Sequence, residues 1–294
     1  MKAGVVYPQT ELKGDPVAVK DFAQAAEEIG YDHIILYDHV LGADHSDRKP
    51  ALTGPYKDTD PFHEPLVTFA YLAGVTEKIE LTTGVLILPQ RQTALVAKQV
   101  ADIDLFSDGR IRLCVGVGWN WVEFEGLEIP ETFKRRGQRQ ENQIALLRKL
   151  WNEPLLNYED NDHKIVRAGI LPRPTRKIPI WLGGFSQPAY DRAARAGDGF
   201  LFAGRSQTEA IEHKGYIEKK LMEIGRPVDS FGFESIQQFN RGPNQWPHDI
   251  INWSNAGGSH ISLVTMGSEC DSMDEHIKAI RQWREVYDAV IVSP

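Results

Sequence analysis

Short β-rich runs alternate with longer helical stretches almost from one end of this chain to the other, and that alternation most constrains its fold. The runs KAGVVYP (2–8), HIILYDH (33–39), IELTTGVLIL (79–88), IRLCVGV (111–117), IPIWLGG (178–184), GFLFAG (199–204), SFGFESI (230–236) and HISLVTM (260–266) read as strands. Several are unbroken apolar runs, as expected of parallel strands covered on both faces. Helical patterns occupy 16–30, 64–76, 93–107, 136–152, 187–196, 206–224, 245–257 and 272–284. In the first of these Asp15 supplies a cap, Pro16 a first-turn proline and Gly30 a stop. Eight strands each followed by a helix predict an α/β fold, a (β/α)8 TIM barrel. The 294 residues suit one such barrel, which typically takes about 250, so a single domain over 1–294 is expected. A doubly wound open sheet is the alternative, but it usually needs fewer strands, and no GxGxxG closes the first βα turn.

Three segments break the repeat: 40–63, 119–135 and 153–177. Long loops inside a compact domain are usually lids or binding loops. The first two follow strands, so they are expected as insertions at the C-terminal face, where barrel chemistry gathers.

Composition narrows the function classes. With 41 acidic and 33 basic residues the formal charge is −8, which argues against partners that offer phosphates, nucleic acid or a membrane surface. Two cysteines far apart, Cys114 and Cys270, do not make a secreted disulfide framework. The apolar run near the N-terminus is too short for a signal segment, and no stretch approaches the roughly 20 apolar residues of a membrane span. A cytoplasmic protein acting on a small molecule is expected.

Strand ends supply the candidate chemistry. Asp38-His39 offers a base, an acid, or two groups that fix a ring; equally, Asp38 caps a loop and His39 is a rim histidine. Gly84, inside the third run, marks a bulge or a close approach of backbone to ligand, a place where a planar ring packs, or else a simple kink. Gly116-Val117-Gly118-Trp119-Asn120-Trp121 gives bare donors, then an aromatic wall and an amide, which suits a flat ligand with polar edges; the other reading is an aromatic plug. Gly183-Gly184-Phe185-Ser186 opens a helix, so its N–H groups and the helix dipole attract phosphate, with Ser186 adding a hydroxyl. Gly204-Arg205-Ser206 supplies a second bare turn and an anion partner in Arg205.

Assembled, these pieces resemble the bacterial luciferase-like monooxygenase superfamily, whose members use FMN or the deazaflavin coenzyme F420, and most nearly its F420-dependent oxidoreductase branch. The resemblance covers nearly the whole chain. It rests on Asp38-His39, on an AKQ–DxxSxGR helix (97–110) leading into GVGWNWVEF (116–124), and on LPRPTRKIPIWLGGFSQPAYDRAARAGDGF (171–200). It implies a coenzyme ring over a bulge at Gly84-Val85, often with a non-proline cis peptide, and Asp38 and His39 near ring or substrate. It further implies that Gly116, Gly118, Trp119 and Asn120, with Gly183, Gly184 and Ser186, hold the ring edge, ribityl chain and phosphate. On this reading His39 is the acid/base or ring-orienting group and Asp38 orients it, with Trp119 and Trp121 shaping the substrate side. A homodimer is implied too, and a separate flavin reductase if the coenzyme is FMN. Two departures stand out: Trp119 occupies the place of a glutamate in sugar-phosphate dehydrogenases of the superfamily, and Gln92 follows Arg91 where His-Pro or Asn-Pro is common.

FMN-dependent monooxygenation shares the fold and the phosphate turn. The tail of F420 calls for basic residues, for which Arg91, Arg135, Arg136 and Arg139 are candidates, although KRRGQR is also an ordinary helix start. A metal-dependent hydrolase built on His39, Asp44, His45, Asp47 and His63 is the rival from another class. Those residues sit mostly on one loop, unlike the ligands of barrel hydrolases, and no metal is expected. A binding protein that has lost turnover is a third reading.

Overall fold

The computed structural model describes residues 1–292; residues 293–294 of the expected 1–294 domain lie outside the described residues. The strands are β1 (Lys2–Val6), β2 (His33–Leu36), β3 (Glu80–Thr83), β4 (Leu86–Ile87), β5 (Ile111–Gly116), β6 (Leu156–Glu159), β7 (Lys164–Ala168), β8 (Ile180–Gly183), β9 (Gly199–Phe202), β10 (Gly232–Gln238) and β11 (His260–Val264). The helices are α1 (Pro16–Ile29), α2 (Pro65–Ala73), α3 (Thr93–Phe106), α4 (Trp121–Gly126), α5 (Thr132–Asn152), α6 (Gln187–Ala196), α7 (Gln207–Glu223), α8 (Trp246–Asn255) and α9 (Met273–Val292).

Eight of the strands close into a parallel barrel. β1 pairs with β2, β2 with β3, β3 with β5, β5 with β8, and β8 through β9 and β10 with β11, which returns to β1. The expected TIM barrel is therefore the fold. Asp15 caps α1 by accepting from the Val17 N–H at 2.9 Å, and Gly30 ends it in the left-handed region, as the sequence predicts.

Three differences have physical causes. The run 79–88 is not one strand: pairing stops after Thr83 and resumes at Leu86, so the break falls on Gly84-Val85. The helix expected from 136 starts at Thr132, and residues 119–131 contain the short helix α4. Residues 153–177 hold the antiparallel hairpin β6–β7; its alternation was masked by a short, mostly exposed sequence. The hairpin is held to α3 by polar groups, with the Thr93 hydroxyl 2.6 Å from Nε2 of His163 and Asp160 2.9 Å from Nδ1.

The main apolar core lies between barrel and helices, from Phe22, Phe69 and Val100 round to Trp253 and Trp283. Inside the barrel a second layer is built from Val6, Ile35, Cys114, Trp181, Leu201, Ile236 and Val264. Below it, near the strand starts, the filling is ionic. Glu234 lies 2.6 Å from His33 and 2.7 Å from Arg112, and Arg112 also reaches Glu80 at 2.6 Å while covering the Trp181 ring at 4.3 Å. Burial alone would raise the Glu234 carboxyl, but His33 and Arg112 outweigh it and hold it well below the usual carboxylate range. Burial and then Arg112 hold His260 down at about 3, so that ring stays neutral.

Removing one partner of a buried ion cluster strands the rest. Arg112→Met should therefore lower the unfolding free energy by about 3–5 kcal/mol at neutral pH, read by urea titration. Because the folded value of Glu234 lies below its unfolded one, its stabilising contribution is present above the ordinary carboxylate range and fades as pH falls. The gap between wild type and variant should accordingly narrow on acidification; a gap that widens contradicts the account.

Candidate functional site

The C-terminal mouth of the barrel is organised around one side chain. The Gly84–Val85 peptide is cis, in keeping with what the resemblance implies. Val85 points between two neighbouring strand ends. A Cβ on Gly116 would come within 2.3 Å of Val85 Cγ2, and one on Gly183 within 2.7 Å of its Cγ1. The glycines ending β5 and β8 thus make room for the Val85 isopropyl group, a packing role. Val85 and its partly buried neighbours Tyr37, Ala203 and Met266 cap the inner core layer and form an apolar platform. Such a platform, rimmed by polar groups, suits the face of a planar ring.

Asp38 and His39 follow β2 and diverge. Both Asp38 oxygens are engaged away from His39: one accepts the Ile87 N–H at 2.8 Å, and the other takes Arg91 at 2.7 Å. Arg91 reaches on to Glu64 at 2.6 Å, whose other oxygen caps α2 through the Val67 N–H. Asp38 therefore ties β2, β4 and the start of α2 together; the expectation that it orients His39 is corrected. The carboxylate that faces His39 is Glu123, 3.4 Å from Nδ1. Glu123 is 1% exposed. The oxygen facing His39 also accepts from Gln90 at 3.3 Å, while the second oxygen accepts the N–H groups of Val40 at 2.9 Å and Leu41 at 3.1 Å. Burial pushes its carboxyl up, but the His39 contact, the Leu41 N–H and Gln90 outweigh that and hold it below the usual range.

Asn120 positions that carboxylate. As N-cap of α4 its side-chain oxygen accepts from Val122 and Glu123. Trp119 turns towards the 40–63 insertion, where its ring lies so close over Gly54 that a Cβ there would sit 2.3 Å away. Edge-to-face contacts join His39 to Tyr56, Phe62 and Trp119 with centroids 5.2, 5.0 and 5.8 Å apart. The insertion thereby folds over His39 as an aromatic box. Trp121 keeps its indole N–H buried without a partner.

The phosphate turns lie side by side. Arg205 donates to the Phe185 carbonyl at 2.7 Å, lies 5.2 Å over the Phe185 ring, and thus joins Gly204-Arg205 to Gly183-Gly184-Ser186. The two helix starts they lead into differ. Ser206 and Glu209 form a closed capping box on α7, whereas Ser186 is exposed and makes no side-chain cap on α6. Beside Arg205 a cavity of about 350 Å³ opens between the loops after β9 and β10, lined by Gln237, Gln238, Asn240 and Arg241 among others.

Among the basic residues, Arg91 is taken by Asp38 and Glu64, while Arg135 and Arg139 share Asp162. Arg136 differs: it donates to the Gly118 carbonyl at 3.2 Å and the Phe133 carbonyl at 2.7 Å, and burial lowers it with no acid partner. Arg192 on α6 lies against Gly137, its Nε buried without a partner, and burial lowers it too. Two guanidinium groups with no ion pair among the described residues therefore stand near Gly118 and on helix α6, whose N-terminus has no side-chain cap, an arrangement fitted to an anion.

The candidate metal residues do not assemble. His45 packs edge-on to Trp119, Asp44 bonds Ser46 in its own loop, and among the described residues no three His, Cys, Asp or Glu side chains are placed to share an ion. Sequence reasoning missed Tyr56, Phe62 and Arg192, and left Glu123 undirected. The spacing Asn120-x-x-Glu123 is the one signal that could have placed a helix start inside the 119–135 insertion, but no pattern reveals which way an N3 glutamate turns.

The profile of the luciferase-like monooxygenase family matches residues 2–234. An uncharacterized protein of Mycobacterium tuberculosis is 34% identical over 209 residues, 69% of this chain and 71% of that one. An F420-dependent glucose-6-phosphate dehydrogenase of Amycolatopsis mediterranei is 31% identical over 239 residues, 76% of this chain and 67% of that one. Among solved structures, an F420-dependent secondary alcohol dehydrogenase in complex with an F420-acetone adduct superposes with a TM-score of 0.80 at 14% identity, covering 97% of this chain and 98% of that one. At that identity the likeness is one of fold.

Crowding at Val85 gives a direct check. Gly116→Ala should destabilise the protein by about 1–3 kcal/mol, and Val85→Ala in the same chain should recover part of that loss. Additive losses in a thermal-denaturation double-mutant cycle would show that the two positions do not share a space.

Proposed function

This chain belongs to the luciferase-like monooxygenase family, and we propose that it is an oxidoreductase moving a hydride between coenzyme F420 and a small organic substrate. The observation that carries the reading is the division of the mouth into three zones. An apolar platform at Val85 suits a ring, the unpaired Arg136 and Arg192 beside uncapped α6 suit a phosphate, and His39 stands in the aromatic box. When bound, F420 supplies the hydride acceptor or donor. The chain's own part is to seat the ring on the platform, neutralise the coenzyme's anionic tail with Arg136 and Arg192, and exclude water with Tyr56, Phe62 and Trp119. His39 moves the substrate proton through its Nε2, since Nδ1 faces Glu123.

Relatives bearing the name F420-dependent glucose-6-phosphate dehydrogenase support the choice of coenzyme. They do not carry their substrate over. Trp119 occupies the place where the resemblance implies a glutamate, and Arg91 is spent on Asp38 and Glu64. An uncharged substrate fits the aromatic surround of His39 better than a sugar phosphate does.

Titrating the purified protein with F420 and with FMN, followed by visible absorbance and tryptophan quenching, tests the coenzyme. Tight binding of F420 is expected. Binding of FMN alone would move the protein to the monooxygenases, which need a separate reductase, and binding of neither would overturn the reading. Arg136→Gln should weaken coenzyme binding about tenfold, the effect of losing one charge-assisted contact. His39→Ala should lower turnover by about tenfold or more while coenzyme affinity holds; equal turnover would remove His39 from the chemistry.

A further inference from the structure

Glu123 is the carboxylate on the Nδ1 side of His39. The two oxygens of Glu123 are used differently. One accepts both backbone N–H groups, Val40 and Leu41, which is enough to pin the start of the 40–63 insertion. The other faces Gln90 at 3.3 Å and the imidazole at 3.4 Å. Among the described residues no Lys or Arg lies within ion-pair distance of this buried carboxylate, so the imidazole is the only group there that can answer its charge. A carboxylate buried without a standing counter-ion is costly unless donors surround it. Asp38, adjacent in sequence, is committed to Arg91 and Ile87. Tyr56, the other titratable group against the ring, is pushed up to about 12 by burial and stays uncharged.

We infer that Glu123 is the positioning residue of His39: it holds the proton on Nδ1, keeps Nε2 free to accept the substrate proton, and balances the imidazolium then formed. The proton leaves the substrate for Nε2, the Nδ1 proton stays between ring and carboxylate, and the pair ends neutral overall. Tyr56, Phe62 and Trp119 screen the pair from water, which strengthens the interaction. This rests on the proposed role of His39, and it supplies through Glu123 on α4 the carboxylate that Trp119 does not provide at its own position. The separation is longer than a tight hydrogen bond, as is common before a ligand closes a site.

Glu123→Gln is the informative substitution because the backbone contacts fix which way the amide points. Val40 and Leu41 require its carbonyl oxygen, so the amide nitrogen must face Nδ1 and donate to it. That inverts the tautomer and leaves Nε2 protonated, with no lone pair for the substrate. Long-range 1H–15N NMR of the imidazoles in the full-length protein reads this without coenzyme or substrate, the His39 signals being assigned through His39→Gln. Expected is the Nδ1–H tautomer in wild type and the Nε2–H tautomer in Glu123→Gln. In the F420-loaded enzyme kcat should fall by about 10–100-fold with KM and coenzyme affinity unchanged. An Nε2–H tautomer in wild type overturns the inference, as does a tautomer that Glu123→Gln leaves unchanged. Should that variant not fold, the wild-type spectrum alone decides. Failure of F420 to bind would sink the proposed activity and leave the tautomer result standing, so the two failures are distinguishable.

Discussion

Everything at the mouth of this barrel is referenced to the contact of the Val85 isopropyl group with the bare backbones of Gly116 and Gly183. β3 stops one residue short of Gly84, and the chain turns there so that Val85 enters the space over the inner core layer. Had β5 or β8 ended in any residue with a Cβ, Val85 would have been displaced and the apolar platform with it. The height of that platform fixes the depth of the site, because the loops carrying Asp38, Trp119 and Ser186 all spring from the same ring of strand ends. Rigid strands below and adaptable loops above are what the barrel architecture offers to catalysis.

Carboxylates divide the remaining work according to their partners. Asp38 and Glu64 share Arg91 and bind the loops to one another. Glu234 and Glu80 share Arg112 at the opposite end and fill the barrel with charge instead of hydrocarbon. Glu123 alone of these has no guanidinium and faces an imidazole. A buried ion pair of the first kind consolidates a fold, and breaking it costs more than making it returns. A buried carboxylate beside a histidine is instead the arrangement that fixes a tautomer and stabilises a transient cation. The same contrast separates the arginines: Arg91, Arg135 and Arg139 are paired within the protein, while Arg136 and Arg192 have no ion-pair partner among the described residues.

Much of this was legible along the chain. Parallel strands covered on both faces must be apolar throughout, so the eight runs announced themselves, and the AKQ–DxxSxGR and GVGWNWVEF blocks marked the family. A glycine inside a strand signals a bulge, a kink or a close approach, and at Gly84 the structure turns that signal into a break between β3 and β4. The hairpin β6–β7 was not legible, because its strands are short and mostly exposed, and only Leu156, Tyr158 and Ile165 reach the core, too few to mark a strand pattern. Gly116 and Gly183 read in the sequence as bare backbone donors, and the structure adds that the space their missing side chains leave is filled by Val85.

Local pattern and residue type were enough to give the class of fold, the strand ends where chemistry gathers, and His39 as the group to examine. Which partner each charged group has emerges only once the chain is folded. Asp38 is next to His39 in the chain but turns to Arg91, while Glu123, from a different βα loop, comes to the imidazole. Neighbours in a strand-end turn point in different directions, and groups far apart in sequence are brought together by barrel closure. Pairing is settled by direction and distance in space, which spacing along a chain does not encode.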